Sequence, residues 1–354
     1  MGLKLLLGIH NHQPVGNFDH VFKESVDRCY RPQLEILSRF PDIKVAYHHS
    51  GSLFEWIENN SPDYLELLST LVDRSQVELL SGGFYEPILS SIPVEDAVGQ
   101  LDMMNEYIKK RFGTRPTGLW MAERVWDPHI PLITSLADLK FTLLDDTHLI
   151  IAGLSKNEQF GYHLTEKNGE LLAIFPIDKN LRYSIPFHLP EENLNYFIDI
   201  ANQDDNRVLT YGDDGEKFGL WPDSYDWVYN KRWLENFYTI LSENRSIVET
   251  TSFKDILDQY QPSSKLYIPP SSYEEMMEWS LAVDKVDDFI ELKTRLEESS
   301  NFDRYQPFLR GGLWHNFHIK YDESNRLNKK ALYLSKMFRD AKENLPDNIA
   351  LEIE

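Results

Sequence analysis

Six short segments rich in His, Asp, Glu and Trp each follow an apolar run that predicts a β-strand. In chain order they are His10–Pro14, His48–Gly51, Ser81–Pro87, Trp120–Pro128, Leu144–His148 and Tyr211–Gly219. In β/α architectures, functional side chains gather where strands end and loops begin. We therefore expect the six segments to share one face of the molecule and to form an active site there.

The chemistry available in these segments is that of carboxylates and imidazoles, without a cysteine or a serine nucleophile elbow. One reaction class that fits is glycosyl transfer by two carboxylates, an acid/base and a nucleophile. The other is metal-assisted hydrolysis, with His10 and His12 binding a divalent ion together with Asp145, Asp146 or His148.

Aromatic residues beside the carboxylates favour the first class. The chain has 8 Trp, 18 Tyr and 19 Phe, more than a core of this size needs, and flat apolar rings suit the faces of sugars. The aromatic residues in question are Trp120, Trp126, Trp221, Trp227 and Tyr85. We expect a sugar-binding cleft that works with no cofactor and no metal.

Alternating strand-like and helix-like segments predict an α/β fold that positions these groups. The predicted strands are Leu3–Ile9, Lys44–His48, Val77–Ser81, Thr117–Met121, Phe141–Asp145, Leu171–Pro176, Arg207–Tyr211 and Ile247–Thr250. A long helix is predicted over Val94–Phe112, because acidic residues open it, basic residues close it and Gly113 follows. The sequence Lys167-Asn168-Gly169 predicts a type I′ hairpin.

The pattern changes near residue 262 and is helical nearly to the end, with helices predicted at about 283–298, 303–320 and 324–344. We therefore predict a β/α-barrel catalytic domain over residues 1–262 and a helical subdomain that completes the cleft over residues 263–354.

Charge and composition exclude several classes of partner. The 354 residues include 36 Lys and Arg against 57 Asp and Glu, a net charge of −21 that disfavours nucleic acid and anionic membrane. No apolar run reaches the roughly 18 residues of a membrane-spanning helix, and the run from Leu3 to Ile9 is too short for a signal peptide. The single cysteine, Cys29, favours a reducing compartment, so we expect a cytoplasmic protein. The oligomeric state is left open.

Four of the segments resemble signature regions of glycoside hydrolase family 57, in the order and spacing of that family. They are His10-Asn11-His12-Gln13-Pro14, Gly82-Gly83-Phe84-Tyr85-Glu86-Pro87, Trp120-Met121-Ala122-Glu123-Arg124-Val125-Trp126 and Asp213-Asp214-Gly215-Glu216-Lys217-Phe218-Gly219. A fifth region, Trp314 to Asn325, is similar to the 4-α-glucanotransferase and α-amylase branch. The resemblance implies an incomplete seven-stranded (β/α) barrel with a helical subdomain, acting on α-1,4-glucans or maltooligosaccharides with retention of configuration.

The resemblance also implies residue roles. The family's nucleophile falls on Glu123 and its acid/base on Asp214, with Asp213 as the alternative because adjacent residues at a strand end point opposite ways. Arg124 would keep Glu123 ionised, and burial together with Asp213 and Glu216 would raise the pKa of Asp214. The remaining residues would bind substrate, by hydrogen bonds to hydroxyls or by stacking: His10, His12, Gln13, Glu78, Glu216, Trp120 and Trp221.

Three alternatives remain beside the first choice, a 4-α-glucanotransferase that moves maltooligosaccharide segments through a glycosyl-enzyme intermediate. An α-amylase would use the same intermediate and resolve it with water. A zinc-dependent carbohydrate hydrolase or deacetylase would use the histidines as ligands. An inactive glucan-binding protein is disfavoured because both carboxylates are present.

Overall fold

A computed structural model of the chain describes residues 2–203 and 207–342. Its strands are β1 (Leu3–Asn11), β2 (Val45–His49), β3 (Val77–Leu79), β4 (Gly118–Leu119), β5 (Phe141–Asp145), β6 (His163–Lys167), β7 (Glu170–Ile177), β8 (Val208–Asp214), β9 (Val248–Thr250) and β10 (Ser264–Lys265). Its α-helices are α1 (Asp19–Ser25), α2 (Arg31–Leu37), α3 (Gly51–Asn60), α4 (Pro62–Asp73), α5 (Val94–Phe112), α6 (Ile130–Leu136), α7 (Asp146–Ile151), α8 (Lys179–Ser184), α9 (Pro190–Ala201), α10 (Trp233–Glu243), α11 (Phe253–Gln259), α12 (Glu274–Trp279), α13 (Val283–Glu297), α14 (Phe302–Tyr305), α15 (His315–Lys320) and α16 (Asp322–Lys342).

Seven parallel strands form a ring, in the order β1, β2, β3, β4, β5, β7, β8 and back to β1. Two links in the ring are single pairs, Ser81 with Leu119 and Ile177 with Thr210. Strand β9 pairs with the first half of β1. The predicted seven-stranded (β/α) barrel is confirmed, with one strand fewer than a complete eight-stranded barrel.

Burial on both faces explains why the central strand is a nearly continuous apolar run. Leu3, Leu5, Leu6 and Leu7 of β1 are all buried, since parallel strands have helices over one face and the barrel interior over the other. All eight strands predicted from the sequence are present, some with shifted ends. The carboxyl ends of these strands lie at one end of the ring and carry the site.

Local sequence signals are confirmed at α5 and at the hairpin. Helix α5 spans Val94–Phe112, and Gly113 ends it with a φ of 70°, a left-handed conformation that glycine adopts without strain. Strands β6 and β7 are antiparallel, and Asn168 and Gly169 between them have φ values of 55° and 90°, as a type I′ turn requires.

The middle helix predicted in the last part of the chain is wrong. Instead of one helix over about 303–320, the chain forms α14, a 3₁₀ turn at Gln306–Phe308 and then α15. Pro307 cannot continue a helix. A Cβ on Gly311 would lie 2.2 Å from the backbone oxygen of Met277, so the chain crosses α12 here in close backbone contact. Helix α13 agrees with prediction within one residue, and α16 begins two residues before its predicted start. Residues 343–344 of the predicted last helix lie outside the described residues.

No helix within residues 2–203 and 207–342 is both long enough and apolar enough to cross a membrane.

Candidate active site

Strand β1 lies between β2 and β8, and the register of the pairing places a histidine of β1 beside a histidine and an aspartate. His10 on β1 pairs with His48 on β2 and with Asp214 on β8. The segments that follow β1, β2 and β8 therefore converge at one end of the ring, as predicted from the sequence.

Glu123 is held by a strained turn and by residues from beyond the barrel strands. The 3₁₀ turn Ala122–Arg124 gives Glu123 a φ of 52° and Arg124 a φ of 45°, which are uncommon for residues with side chains. The Tyr273 hydroxyl donates a 2.7 Å hydrogen bond to Glu123 Oε2, and Ser272 Oγ donates a 2.8 Å bond to the Glu123 backbone oxygen. The Glu123 carboxylate is thus exposed but fixed at one oxygen.

Arg124, which was expected to keep Glu123 ionised, forms its ion pair with another carboxylate. Arg124 Nε lies 2.6 Å from Asp145 Oδ2, and no ion pair joins Arg124 to Glu123 among residues 2–203 and 207–342. The left-handed turn directs the two adjacent side chains apart, and Arg124 is buried against the end of β5.

Five charged side chains, four of them buried and Arg182 partly buried, form what we call the ion-pair side of the site: Arg124, Asp145, Arg182, Asp213 and Lys217. Asp145 binds Arg124 and Arg182, with N to O distances of 2.6 Å each. Asp213 binds Lys217, and Arg182 Nε lies 3.5 Å from Asp213 Oδ2. Burial alone would raise the pKa of Asp145, but Arg124 and Arg182 outweigh it and hold that pKa below its usual range.

Asp213 and Asp214 are adjacent but differ in their surroundings. Asp213 is completely buried in ion pairs, and its Oδ1 accepts a 2.9 Å hydrogen bond from the Asp214 backbone nitrogen. The Asp214 carboxylate forms no hydrogen bond or ion pair with the described residues. Burial first, and the charge of Asp213 second, raise the pKa of Asp214 to about 6. The direction and these two causes agree with the sequence-based expectation, whereas Glu216, which was also expected to contribute, is not among the main causes. Asp214 suits an acid/base role.

A second group of residues in contact with one another forms what we call the histidine side: His10, His12, His48 and Glu86. His10 Nδ1 and His48 Nδ1 lie 2.8 Å apart, and Glu86 contacts both His12 Nδ1 and, at 3.4 Å, His10 Nε2. Burial, followed by the neighbouring His48, lowers the pKa of His10 well below its usual range. Burial also lowers the pKa of His48 and His12, so these rings are neutral at pH 7.

Glu216 lies against the histidine side. Its Oε1 accepts a 2.9 Å hydrogen bond from the His12 backbone nitrogen and a bond from the Tyr30 hydroxyl. Burial, and then the charge of Asp214, raise the pKa of Glu216 to about 7. Gln13, in contrast, is buried with both ends of its amide engaged, by Tyr30 and Asn17. These bonds indicate that Gln13 supports the loop rather than contacting substrate.

The two predicted stacking residues occupy different environments. Trp120 is only 3% exposed, and its ring stacks on His10 with centroids 5.0 Å apart. In this structure His10 and the core cover the Trp120 ring, so a sugar-stacking role for Trp120 stays a prediction. Trp221 is 43% exposed and lies beside Phe187 and Lys217, so its ring is available.

Glu78 lies outside this cluster. Its Oε2 accepts a 2.7 Å bond from the Phe253 backbone nitrogen and its Oε1 a 3.3 Å bond from that of Lys254. Burial raises its pKa to about 7 despite these bonds. A carboxylate at the start of α11 satisfies amides that a helix leaves unpaired. These contacts fit a structural role better than the substrate-binding role predicted for Glu78.

The metal ligands proposed from the sequence do not come together. Asp145 is taken up by arginines, and His148 Nε2 lies 2.9 Å from the Arg124 backbone oxygen. Among the residues that the structure describes, the set with metal-ligand geometry is instead His10, His48 and Glu86, with donor atoms within 4.8 Å of one another. His10 and His48 bond each other through their Nδ1 atoms and Glu86 Oε2 contacts His12, whereas His48 Nε2 and Glu86 Oε1 have no hydrogen-bond partner among the described residues.

The site residues that were assigned no role from the sequence include His48, Glu86, Arg182, Lys217 and Tyr273. His48 lies in one of the strand-end segments, and Glu86 and Lys217 lie within signature segments, so their positions were visible. Arg182 and Tyr273 carry no local pattern that marks them.

A family model described as "Glycosyl hydrolase family 57" matches residues 6–269. The 4-alpha-glucanotransferase of Thermococcus litoralis is 44% identical over 338 residues, covering 96% of this chain and 51% of the relative. Alpha-amylase 1 of Dictyoglomus thermophilum is 43% identical over 335 residues, covering 95% and 49%. The chain thus spans about half the length of the curated relatives it matches.

Solved structures of proteins with these two names also match this chain. The crystal structure of the Thermococcus litoralis 4-alpha-glucanotransferase matches with a TM-score of 0.92 at 43% identity, over 96% of this chain and 53% of that one. The alpha-amylase AmyC of Thermotoga maritima matches with a TM-score of 0.63 at 13% identity, over 85% and 83%, which supports the fold alone.

Proposed function

Because the chain belongs to glycosyl hydrolase family 57, we propose that it is a retaining enzyme acting on α-1,4-glucans or maltooligosaccharides. Our first choice is a 4-α-glucanotransferase, and the alternative is an α-amylase. Relatives at 42–44% identity bear both names, so identity does not separate the two activities.

The contrast between Glu123 and Asp214 carries this proposal. Glu123 is exposed and hydrogen-bonded at one oxygen, which suits a nucleophile. Asp214 is buried, and its pKa is raised to about 6 by burial and by Asp213, which suits an acid that gives its proton to the departing sugar. Two carboxyls in such different environments divide the roles of nucleophile and acid/base. For a retaining reaction we expect them about 5–5.5 Å apart.

The proposed sequence has two steps. Glu123 attacks the anomeric carbon and the glycosidic bond breaks while Asp214 protonates the leaving oxygen. In the second step Asp214 deprotonates an acceptor hydroxyl, which displaces Glu123 and releases a product of retained configuration. His10, His12 and Glu216 would bind sugar hydroxyls around this centre.

The two activities differ in the acceptor that receives the glycosyl group, which is a sugar hydroxyl in the transferase and water in the amylase. Water is present at about 55 M, so transfer prevails only where the acceptor sugar is held in place. Trp221 and Trp279 are 43% and 53% exposed and could stack such a sugar. These aromatic faces favour the transferase.

Incubation with maltotriose alone tests the choice. We expect glucose together with oligosaccharides longer than the substrate, and little net gain in reducing ends. Steady growth of reducing ends without longer products would identify an α-amylase. Binding without turnover would identify a glucan-binding protein.

Two further expectations complete the proposal. We place the protein in the cytoplasm, on the ground that its one cysteine, Cys29, is buried and unpaired. We also retain the division at residue 262 into a barrel domain and a helical subdomain.

A further inference from the structure

We propose that Tyr273 is a positioning residue that fixes one oxygen of Glu123, so that the other oxygen attacks, and that it supports departure of Glu123 in the second step. The inference rests on the proposed function and adds to it a residue from outside the signature segments.

The contacts select one carboxylate oxygen. Tyr273 donates its 2.7 Å bond to Oε2, whereas Oε1 of Glu123 has no hydrogen-bond partner within the described residues. An oxygen that carries no hydrogen bond keeps its lone pairs for attack. Oε1 is therefore the atom we expect to form the bond to the sugar, and Oε2 becomes the carbonyl oxygen of the resulting ester.

The segment before Tyr273 is anchored to the same turn. Ser271 and Trp126 exchange backbone hydrogen bonds of 3.2 and 2.8 Å, and Ser272 Oγ binds the Glu123 backbone oxygen at 2.8 Å. Ser272 and Tyr273 thus attach to Glu123 itself, and Ser271 attaches to Trp126 just after the turn. The left-handed φ of Glu123 is held by this attachment, since a residue with a side chain does not favour it on its own.

The phenol ring is also held from its faces. The Arg124 guanidinium carbon lies 4.9 Å from the ring centroid and that of Arg182 lies 6.0 Å away. Beyond the ring, Glu274 binds Lys179 of the barrel and Lys293 of α13. The ring therefore has little freedom to swing away from Glu123.

The phenol keeps its proton in both steps. Burial, and then the negative charge of Glu123, raise the pKa of Tyr273 above its usual range. In the first step the bond between Oε1 and the anomeric carbon forms, and the glycosidic bond breaks as Asp214 gives up its proton. In the second step the acceptor oxygen bonds to the carbon, the electron pair of the broken ester bond returns to Glu123, and the acceptor proton passes to Asp214.

These charges predict an unequal effect on the two steps. Glu123 loses negative charge in the first step and regains it in the second. A hydrogen bond from Tyr273 stabilises the ionised carboxylate, so its loss slows departure of Glu123 more than attack.

The test is Tyr273→Phe, assayed with maltotriose and with longer maltooligosaccharides. We expect kcat to fall by about 10- to 100-fold, as for loss of a hydrogen bond to a charged group, with KM falling in parallel because the second step becomes limiting. Intact mass after rapid quenching should show glycosyl-enzyme in the variant and much less in the unsubstituted protein.

The matched control is Tyr183→Phe. Tyr183 also donates from a phenol to a carboxylate between barrel and helical part, at 2.7 Å from Glu275 Oε1, but it does not contact Glu123. Its removal should leave kcat and KM unchanged. The thermal unfolding midpoints of both variants, compared with the unsubstituted protein, show whether either loss reflects folding.

Two results would overturn the role of Tyr273: an unchanged kcat, or a lower kcat with higher KM and no trapped intermediate. Both presuppose an active unsubstituted protein. An unsubstituted protein inactive on every α-glucan would instead overturn the proposed function.

Discussion

The histidine side and the ion-pair side occupy equivalent positions at the ends of barrel strands, yet they use opposite electrostatics. The histidine side places three neutral imidazoles around one carboxylate, Glu86. The ion-pair side packs three cations against two carboxylates, with side chains no more than 16% exposed. One side is therefore suited to exchanging hydrogen bonds with hydroxyls, and the other to fixing charges in place.

Asp214 pairs in register with His10 of the histidine side, and the charges of the ion-pair side act on its pKa. The cations of the ion-pair side lower its pKa, but burial and Asp213 raise it further, so the result is a carboxyl that holds its proton up to about pH 6. The adjacent Asp213 takes up Lys217 and part of Arg182, which leaves less positive charge for Asp214. The buried Asp213 thus helps to set the pKa of Asp214, the proposed acid/base.

The largest expected effect comes from removing the two proposed catalytic carboxyls. Glu123→Gln and Asp214→Asn should each lower kcat by about 10⁴-fold or more, with much smaller changes in oligosaccharide affinity, because both act in the transition state. Steady-state kinetics and calorimetric binding to maltoheptaose measure the two quantities. An equal loss of binding and turnover would assign either residue to substrate recognition instead.

Breaking the ion-pair side should be the next largest effect. Asp145→Asn leaves Arg124 and Arg182 without their shared carboxylate, so the free energy of unfolding should fall by about 3–5 kcal/mol. His48→Gln on the histidine side keeps a hydrogen-bonding group and should cost only about 1–2 kcal/mol. Denaturant unfolding of both variants makes the comparison, and equal losses would show that the two sides do not differ as described.

Sequence reasoning succeeded where the signal is local and failed where a side chain chooses among distant partners. Val94–Phe112 and the hairpin at Asn168 carry caps and turn residues in the sequence itself, and both were predicted closely. The partner of Arg124 depends on a left-handed turn and on β5, some twenty residues away, so its ion pair is with Asp145 rather than with the adjacent Glu123.

The sequence also did not indicate which single residues of the site are buried. Trp120 has the residue type of a sugar platform, but its position against His10 covers it. Tyr273 lies about 150 residues from Glu123 in sequence, and only the folded chain brings its hydroxyl to the carboxylate. Strand-end position thus predicted which segments meet, and packing determined which side chains face the site.

The adjacent aspartates should affect stability in opposite directions. The folded-state pKa of Asp214 is raised from 3.8 to about 6, so protonation stabilises the fold below about pH 4, and that stability is lost as pH rises through 6. Asp214→Asn should therefore raise the free energy of unfolding at pH 8 by roughly 3 kcal/mol and leave it little changed at pH 4.

Asp213→Asn is the matched variant, one residue away. It removes the partner of Lys217 and should lower the free energy of unfolding at pH 8 by about 3 kcal/mol. Chemical denaturation at both pH values makes the measurement. A loss of stability in both variants at pH 8 would mean that Asp214, too, is held by ion pairs.

The smallest expected effect is that of metal removal, and it probes the histidine side alone. His10, His48 and Glu86 have ligand geometry, with donor atoms within 4.8 Å of one another. However, His10 and His48 already bond through their Nδ1 atoms, and Glu86 bonds His12. Two carboxyls are sufficient for glycosyl transfer without a Lewis acid. Exhaustive dialysis against EDTA should therefore leave kcat and KM unchanged, with parallel dialysis against buffer as the control. Loss of activity that added zinc restores would make the histidine side a metal centre and favour a zinc-dependent carbohydrate hydrolase or deacetylase.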